Sequence, residues 1–147
     1  MQTARNLMQR QVIAVSPQTS AREATDLLLE NNVSGLPVVD SAGRILGIFS
    51  EVDRIKHTSS EDRFVQDLMT TEVTTVDVED SLVAVKHAFS VNAVRRLPVT
   101  ENGIMVGIIG LRDLVRYTRE LESALQQISP VFAKPGLFES ECWCNAD

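Results

Sequence analysis

Residues 33–40 read VSGLPVVD, and residues 94–101 read VRRLPVTE. The shared Leu-Pro-Val is one point in a longer register. A shift of 61 positions aligns Leu7-Met8 with Leu68-Met69, Val12 with Val73, Val15 with Val76 and Ser20 with Ser81. One deletion in the next turn makes the offset 60, and Gly43, Gly47, Ile48 and Asp53 then fall on Gly103, Gly107, Ile108 and Asp113. A register held from residue 7 to 55 with one gap marks an internal duplication. The copies differ just before Leu-Pro-Val, where Ser34-Gly35 stands in one and Arg95-Arg96 in the other.

Each copy follows the same grammar. A β-branched run opens it, VIAV (12–15) or VTTV (73–76), and predicts a strand. An amphipathic helix follows, with Ser20 to Glu23 fitting a capping box and Ala24, Leu27 and Leu28 on one face. Leu82, Val85, Ala88 and Phe89 form the matching face in the second copy. Two strands come next, separated by Asp40 to Gly43 or by Glu101 to Gly103. A second helix starts near Glu51 or Leu111. The unit is therefore β-α-β-β-α, an α+β pattern of about fifty residues whose core is small for independent stability. Two copies packed sheet to sheet, with helices outside, supply a larger core and a pseudo-two-fold axis. Residues 56–67 are expected to connect the copies. The expected division is 1–60, 61–118 and a C-terminal extension, 119–147. In that extension Leu121, Leu125 and Ile128 continue an apolar stripe until Pro130. The stripe would cover the module's own edge or meet a second chain.

Bulk properties narrow the classes. The chain has 147 residues, 44% hydrophobic and 23% charged, in the range of globular proteins. A net charge of -6 argues against a broad nucleic-acid face. No apolar run is long enough to cross a bilayer and no signal-peptide stretch opens the sequence, so no membrane insertion and a cytoplasmic location are expected. Cys142 and Cys144, spaced C-x-C around Trp143, match neither a redox pair nor half of a zinc site. His57 and His87 have no metal-ligand companions at recognisable spacing. Neither a phosphate loop nor a G-x-G-x-x-G is present, so any nucleotide binding would be sensing rather than hydrolysis. The duplication also sets Asp53 and Asp113 in symmetry-related clefts, which argues against joint acid–base chemistry. The chain is not expected to be an enzyme.

Taken together, Met8-to-Val12 and Met69-to-Val73, the Leu-Pro-Val-Val-Asp strand, the Gly-h-h-Ser/Gly-x-x-Asp segment and the duplication resemble a cystathionine beta-synthase (CBS) domain pair, or Bateman module. The resemblance covers about residues 5–118. It implies two βαββα repeats in a compact regulatory module that commonly pairs into homodimers. Such modules take adenine nucleotides or adenosyl compounds in clefts between the repeats, and act on a regulated enzyme or transporter.

Two readings compete at each candidate site. Asp53 and Asp113, at strand-to-helix junctions, suit N-terminal capping of their own helices, with Ser50 as cap in the first copy. The resemblance implies instead that the Asp holds ribose, with Ser50 near the ligand and Gly110 lacking that hydroxyl. Arg95 and Arg96 are solvated, or fork onto phosphate oxygens as the resemblance implies. Neighbouring positions on a strand point to opposite sides, so at most one of them is expected in the cleft. Arg112 is a weaker phosphate candidate, and uncharged Ser34 would suit a less charged ligand. For adenine the resemblance implies Val12, Ile13, Leu36 and Pro37 in one copy and Val73, Thr74, Leu97 and Pro98 in the other. For Leu36, Leu97, Val12 and Val73 a core role is the main expectation. The expected ligand is AMP, ADP or ATP, ahead of S-adenosylmethionine or NAD. The rival is a docking or dimerisation module with closed clefts.

Overall fold

The computed structural model describes residues 2–59 and 61–128, with only the backbone of the last two. The Cys142–Cys144 tail and the expected stop at Pro130 lie outside them. Two compact units emerge, Met1–Leu111 and a second beginning at Arg112.

In the first unit, α1 (Ala4–Leu7) precedes α2 (Ala21–Asn31), β1 (Gly35–Val39), β2 (Ile45–Ser50) and α3 (Glu51–Lys56). A 3-10 turn (Val65–Asp67) then leads to β3 (Val76–Asp77), α4 (Leu82–Asn92), β4 (Arg96–Glu101) and β5 (Ile104–Gly110). Thus the β-α-β-β-α grammar repeats, and the two copies of it pack together. Both hairpins are antiparallel, and each has an irregularity at the same point, between Val38 and Val39 and between Val99 and Thr100. Their turns account for the gap in the register. The first is held by Asp40, whose Oδ1 accepts from the amides of Ala42 and Arg44 at 2.9 Å. The second is a two-residue Asn102-Gly103 loop with φ of 55° and 83°, the left-handed pair that such loops require.

The opening strands are shorter than expected. VIAV touches its hairpin only through Val15, bridged in parallel to Val38, and VTTV contributes just Val76 to β3. Proline is the physical reason. Val15 donates to the Pro37 carbonyl at 3.0 Å and accepts from Val39 at 2.9 Å. The next parallel bond back along the strand would need an amide hydrogen on Pro37, which has none. Pro98 ends the second ladder in the same way, since β3 runs parallel to β4 with Val76 opposite Val99.

Upstream of these runs, each copy lends its opening segment to the other. Gln9 exchanges backbone hydrogen bonds with Ile108 at 2.8 and 3.0 Å, and Thr70 exchanges them with Ile48 at 2.9 Å each way. Gly107 and Gly47 make room: a Cβ on Gly47 would lie 2.7 Å from the Thr70 carbonyl oxygen, and one on Gly107 2.9 Å from that of Gln9. The exchange extends outward, where Thr3 bridges Ser81 and Phe64 bridges Ser20. Residues 61–67 are therefore more than the expected connector, because Ala21 and Arg22 donate to the carbonyls of Arg63 and Glu61. The first core shows the consequence. Val65 and Leu68 are buried among Val15, Ala24, Leu28, Leu36, Val38 and Phe49, with Met69 packed against them. Ala4 and Met8 are buried from the opening of the first copy, as are Val76, Val85, Leu97, Val99 and Ile109 in the second.

Both serine caps form, but the capping box expected at Ser20–Glu23 is half made, with no bond from the Ser20 amide to the Glu23 side chain among the described residues. Ser20 and Ser81 accept from the amides three residues on, at 3.1 and 3.2 Å. α2 buries Ala24 and Leu28, and α4 buries Val85 and Phe89. The second unit begins one residue into α5 (Leu111–Ile128), in which Leu114 is buried while Val115, Leu121 and Leu125 are exposed. No helix among the described residues is long and apolar enough to cross a membrane.

Candidate functional site

Because each opening segment pairs with one hairpin and then joins the other, its middle must cross between the two sheets. Residues 71–75 make that crossing from Thr70 on β2 to Val76 on β4. Beside them lies a cleft of about 660 Å³, within the range that holds small organic ligands. Its walls come from both copies. The first supplies Ser34, Gly35, Ile48 and Ser50 to Asp53; the second supplies Thr70, Glu72 to Thr74, Ala93 to Arg96, Pro98 and Ile108.

Asp53 lines this cleft and is the one buried charged residue among the described residues, at 6% exposure. Its Oδ2 accepts from the Ser50 amide at 2.9 Å and from Ser50 Oγ at 3.0 Å, while Ser50 Oγ accepts from the Asp53 amide at 3.2 Å. That is the capping box expected from sequence. Its Oδ1 accepts from Thr70 Oγ1 at 3.1 Å, a contact the sequence did not announce. A carboxylate offers about four lone-pair sites, and three are taken here. Asp53 thus ties the start of α3 to the segment lent by the other copy, and retains one acceptor position beside the cleft.

Arg95 and Arg96 both line the cleft, which corrects the expectation that at most one would. Side-chain alternation holds between two strand residues, but β4 begins at Arg96. Arg95 lies in the bend before it, after Ala93 has ended α4 in the left-handed conformation, φ 51°. Its carbonyl accepts from the Leu111 amide at 2.8 Å. Neither guanidinium makes an ion pair within 4.0 Å among the described residues. Glu51 and Glu72, also on the lining, make none either.

The remaining candidates are dispersed. Leu36 and Leu97 are core residues, 1% and 0% exposed. Val12 and Val73 are only half-buried, against the core role expected of them, since the ladders end before reaching them; Val73 and Thr74 line the cleft. Glu72, Val73 and Thr74 make no backbone hydrogen bond among the described residues outside the strand ladders, leaving polar edges beside the cavity. Pro98 lines it, whereas Val12, Ile13 and Pro37 do not. Gly110 closes β5 opposite Arg96. Arg112 and Asp113 belong to the second unit; there Asp113 Oδ1 accepts from Arg116 Nη1 at 3.1 Å, and Arg112 is exposed. Asp53 and the arginine pair line the same cleft, from opposite halves of the duplication.

No group of three or more His, Cys, Asp or Glu residues suited to a metal occurs among the described residues. Comparison with known proteins gives the same architecture. The CBS domain profile matches twice, over residues 4–59 and 65–120. The CBS domain-containing protein YhcV of Bacillus subtilis is 30% identical over 128 residues, 84% of this chain and 91% of that protein. Inosine-5'-monophosphate dehydrogenase of Methanocaldococcus jannaschii is 33% identical over 118 residues, and this chain spans only 23% of its length. Among solved structures, CBSX2 in complex with AMP superimposes with a TM-score of 0.76 at 27% identity, covering 83% of this chain and 99% of that one. CBS domains are non-catalytic regulatory modules. The chain belongs to the CBS-domain family, as a tandem pair forming one Bateman module.

Proposed function

We propose that this module is a sensor for an adenosine nucleotide, which binds in the cleft shared by the two copies. The observation that carries this reading is the meeting of Asp53 with Arg95 and Arg96 on one wall system, from opposite halves of the duplication. The ribose hydroxyls are donors suited to the Asp53 carboxylate. Arg95 and Arg96 meet the phosphate, where charge-assisted bonds are strongest. Adenine lies against Val73, Thr74 and Pro98, with the unpaired backbone edges of 72–74 as its polar contacts. AMP, held by the similar CBSX2, is the first ligand to test, followed by ADP and ATP.

Binding would be read through Thr70. A ribose that takes lone pairs on Asp53 competes with Thr70 Oγ1, and Thr70 anchors the exchanged segment. The ligand then shifts the packing of the two copies to the extent that it prefers one arrangement, and a regulated enzyme or transporter reads the shift. A homodimer is the expected assembly. Leu29 on α2, Val52 and Ile55 on α3, and Val83 and Val91 on α4 are 60–75% exposed, an apolar set suited to a second copy.

Isothermal titration calorimetry tests the ligand. AMP should bind, and replacing Arg95-Arg96 by the Ser-Gly of the first copy should weaken AMP about tenfold or more while sparing adenosine, as expected for lost hydrogen bonds to a charged group. Equal losses for AMP and adenosine would remove the arginines from the phosphate role. No heat and no thermal stabilisation from any adenosine compound would favour the docking reading, in which the apolar helix faces carry the function alone.

A further inference from the structure

The duplication provides an internal control for the charges in the cleft. At the positions equivalent to Arg95 and Arg96 the other copy has Ser34 and Gly35, so the fold needs no cation there. Glu51 and Glu72 correspond to Leu111 and Gln11, so it needs no carboxylate there either. Yet all four residues line this one cleft, and none makes an ion pair within 4.0 Å among the described residues. With Asp53 the lining carries three carboxylates against two guanidiniums. A pocket made only to attract phosphate would omit Glu51 and Glu72.

We propose that Glu51 and Glu72 make the cleft a charge filter: it accepts an anion of one phosphate and rejects polyphosphates, with Glu72 as the main specificity-determining residue. This rests on the adenosine reading above. Glu72 lies on the crossing segment beside Val73 and Thr74, which the adenosine reading places against the base. Two guanidiniums neutralise a monophosphate, of charge about -2. A triphosphate brings about two further charges with no cation among the lining residues to meet them, and they then experience the field of Glu72 and Glu51. Across ~10 Å of partly solvated cleft each such pair repels by an amount that, for about two extra charges, amounts to roughly fivefold in affinity. Both glutamates are exposed, so the effect must fade as salt rises.

The test compares adenosine, AMP and ATP without added divalent cation, by calorimetry at low and at about 0.5 M salt, for the full chain and for Glu72→Gln. The expected result is AMP binding more tightly than ATP, and Glu72→Gln raising ATP affinity roughly fivefold over its effect on AMP at low salt, with adenosine nearly unmoved. Equal or tighter ATP binding by the unaltered chain, or an ATP-to-AMP ratio that Glu72→Gln does not change, overturns the filter. Inorganic phosphate and tripolyphosphate repeat the comparison without the nucleoside. A preference for phosphate that Glu72→Gln narrows upholds the filter even where adenosine fails to bind, the outcome that would sink the adenosine reading alone.

Discussion

Ala93 ends α4 at φ 51°, and its counterpart Asn32 ends α2 at φ 54°. Asparagine tolerates the left-handed region, whereas alanine there costs about 1 kcal/mol. Ala93→Gly removes that strain and is expected to raise stability by about 0.5–1 kcal/mol in urea unfolding, after allowing for the greater unfolded-state freedom of glycine. A destabilised Ala93→Gly would show that the methyl group is held by contacts worth more than the strain. Ala93 lines the cleft, so the same variant should be checked for ligand affinity. The role of Asp53 as cap was legible in the sequence because Ser50 stands three residues ahead of it. Its bond to Thr70 was not, since 17 residues separate the partners and nothing in either segment names the other. The arginine pair misled for a plain reason: side-chain alternation holds within a pleated strand, and Arg95 is outside one.

At the scale of elements, the helices and hairpins were readable because their periods and turns are local. Which opening segment pairs with which hairpin was not. The duplication makes the two hairpins near-identical partners, so local pattern gives no preference between pairing at home and exchange. Two signals were nevertheless present. Pro37 and Pro98 lack the donor needed to extend the parallel ladders, which limits the opening strands to their last residues. Gly47 and Gly107 sit mid-strand, where a missing side chain marks close approach of another backbone. Gly47→Ala places a methyl group 2.6 Å from Met69 Sδ and 2.7 Å from the Thr70 carbonyl oxygen. The thioether can move, but the carbonyl is fixed by its bond to Ile48. Loss of about 1–3 kcal/mol is expected, together with faster hydrogen exchange at Ile48 and Thr70. Unchanged stability and protection in Gly47→Ala would argue that the exchanged pairing contributes little.

At the largest scale, the exchange ties the hairpins of two small repeats together within Met1–Leu111. Neither core is complete without residues from the other copy, and the cleft inherits the same composite character. A fold assignment needed only the duplication, but the site needed the three-dimensional pairing, because the acid and the cations that meet belong to different repeats. Asymmetry between the copies then matters more than their likeness: Arg95, Arg96, Glu51 and Glu72 depart from their counterparts and converge on a single cleft. A backbone-amide NMR titration with AMP reads this composite site most directly. Saturable shifts are expected in both Ser50–Asp53 and Glu72–Arg96, moving together with one affinity, and Thr70 should shift as Asp53 changes partners. Shifts confined to one repeat, or none at all at millimolar AMP, would contradict it.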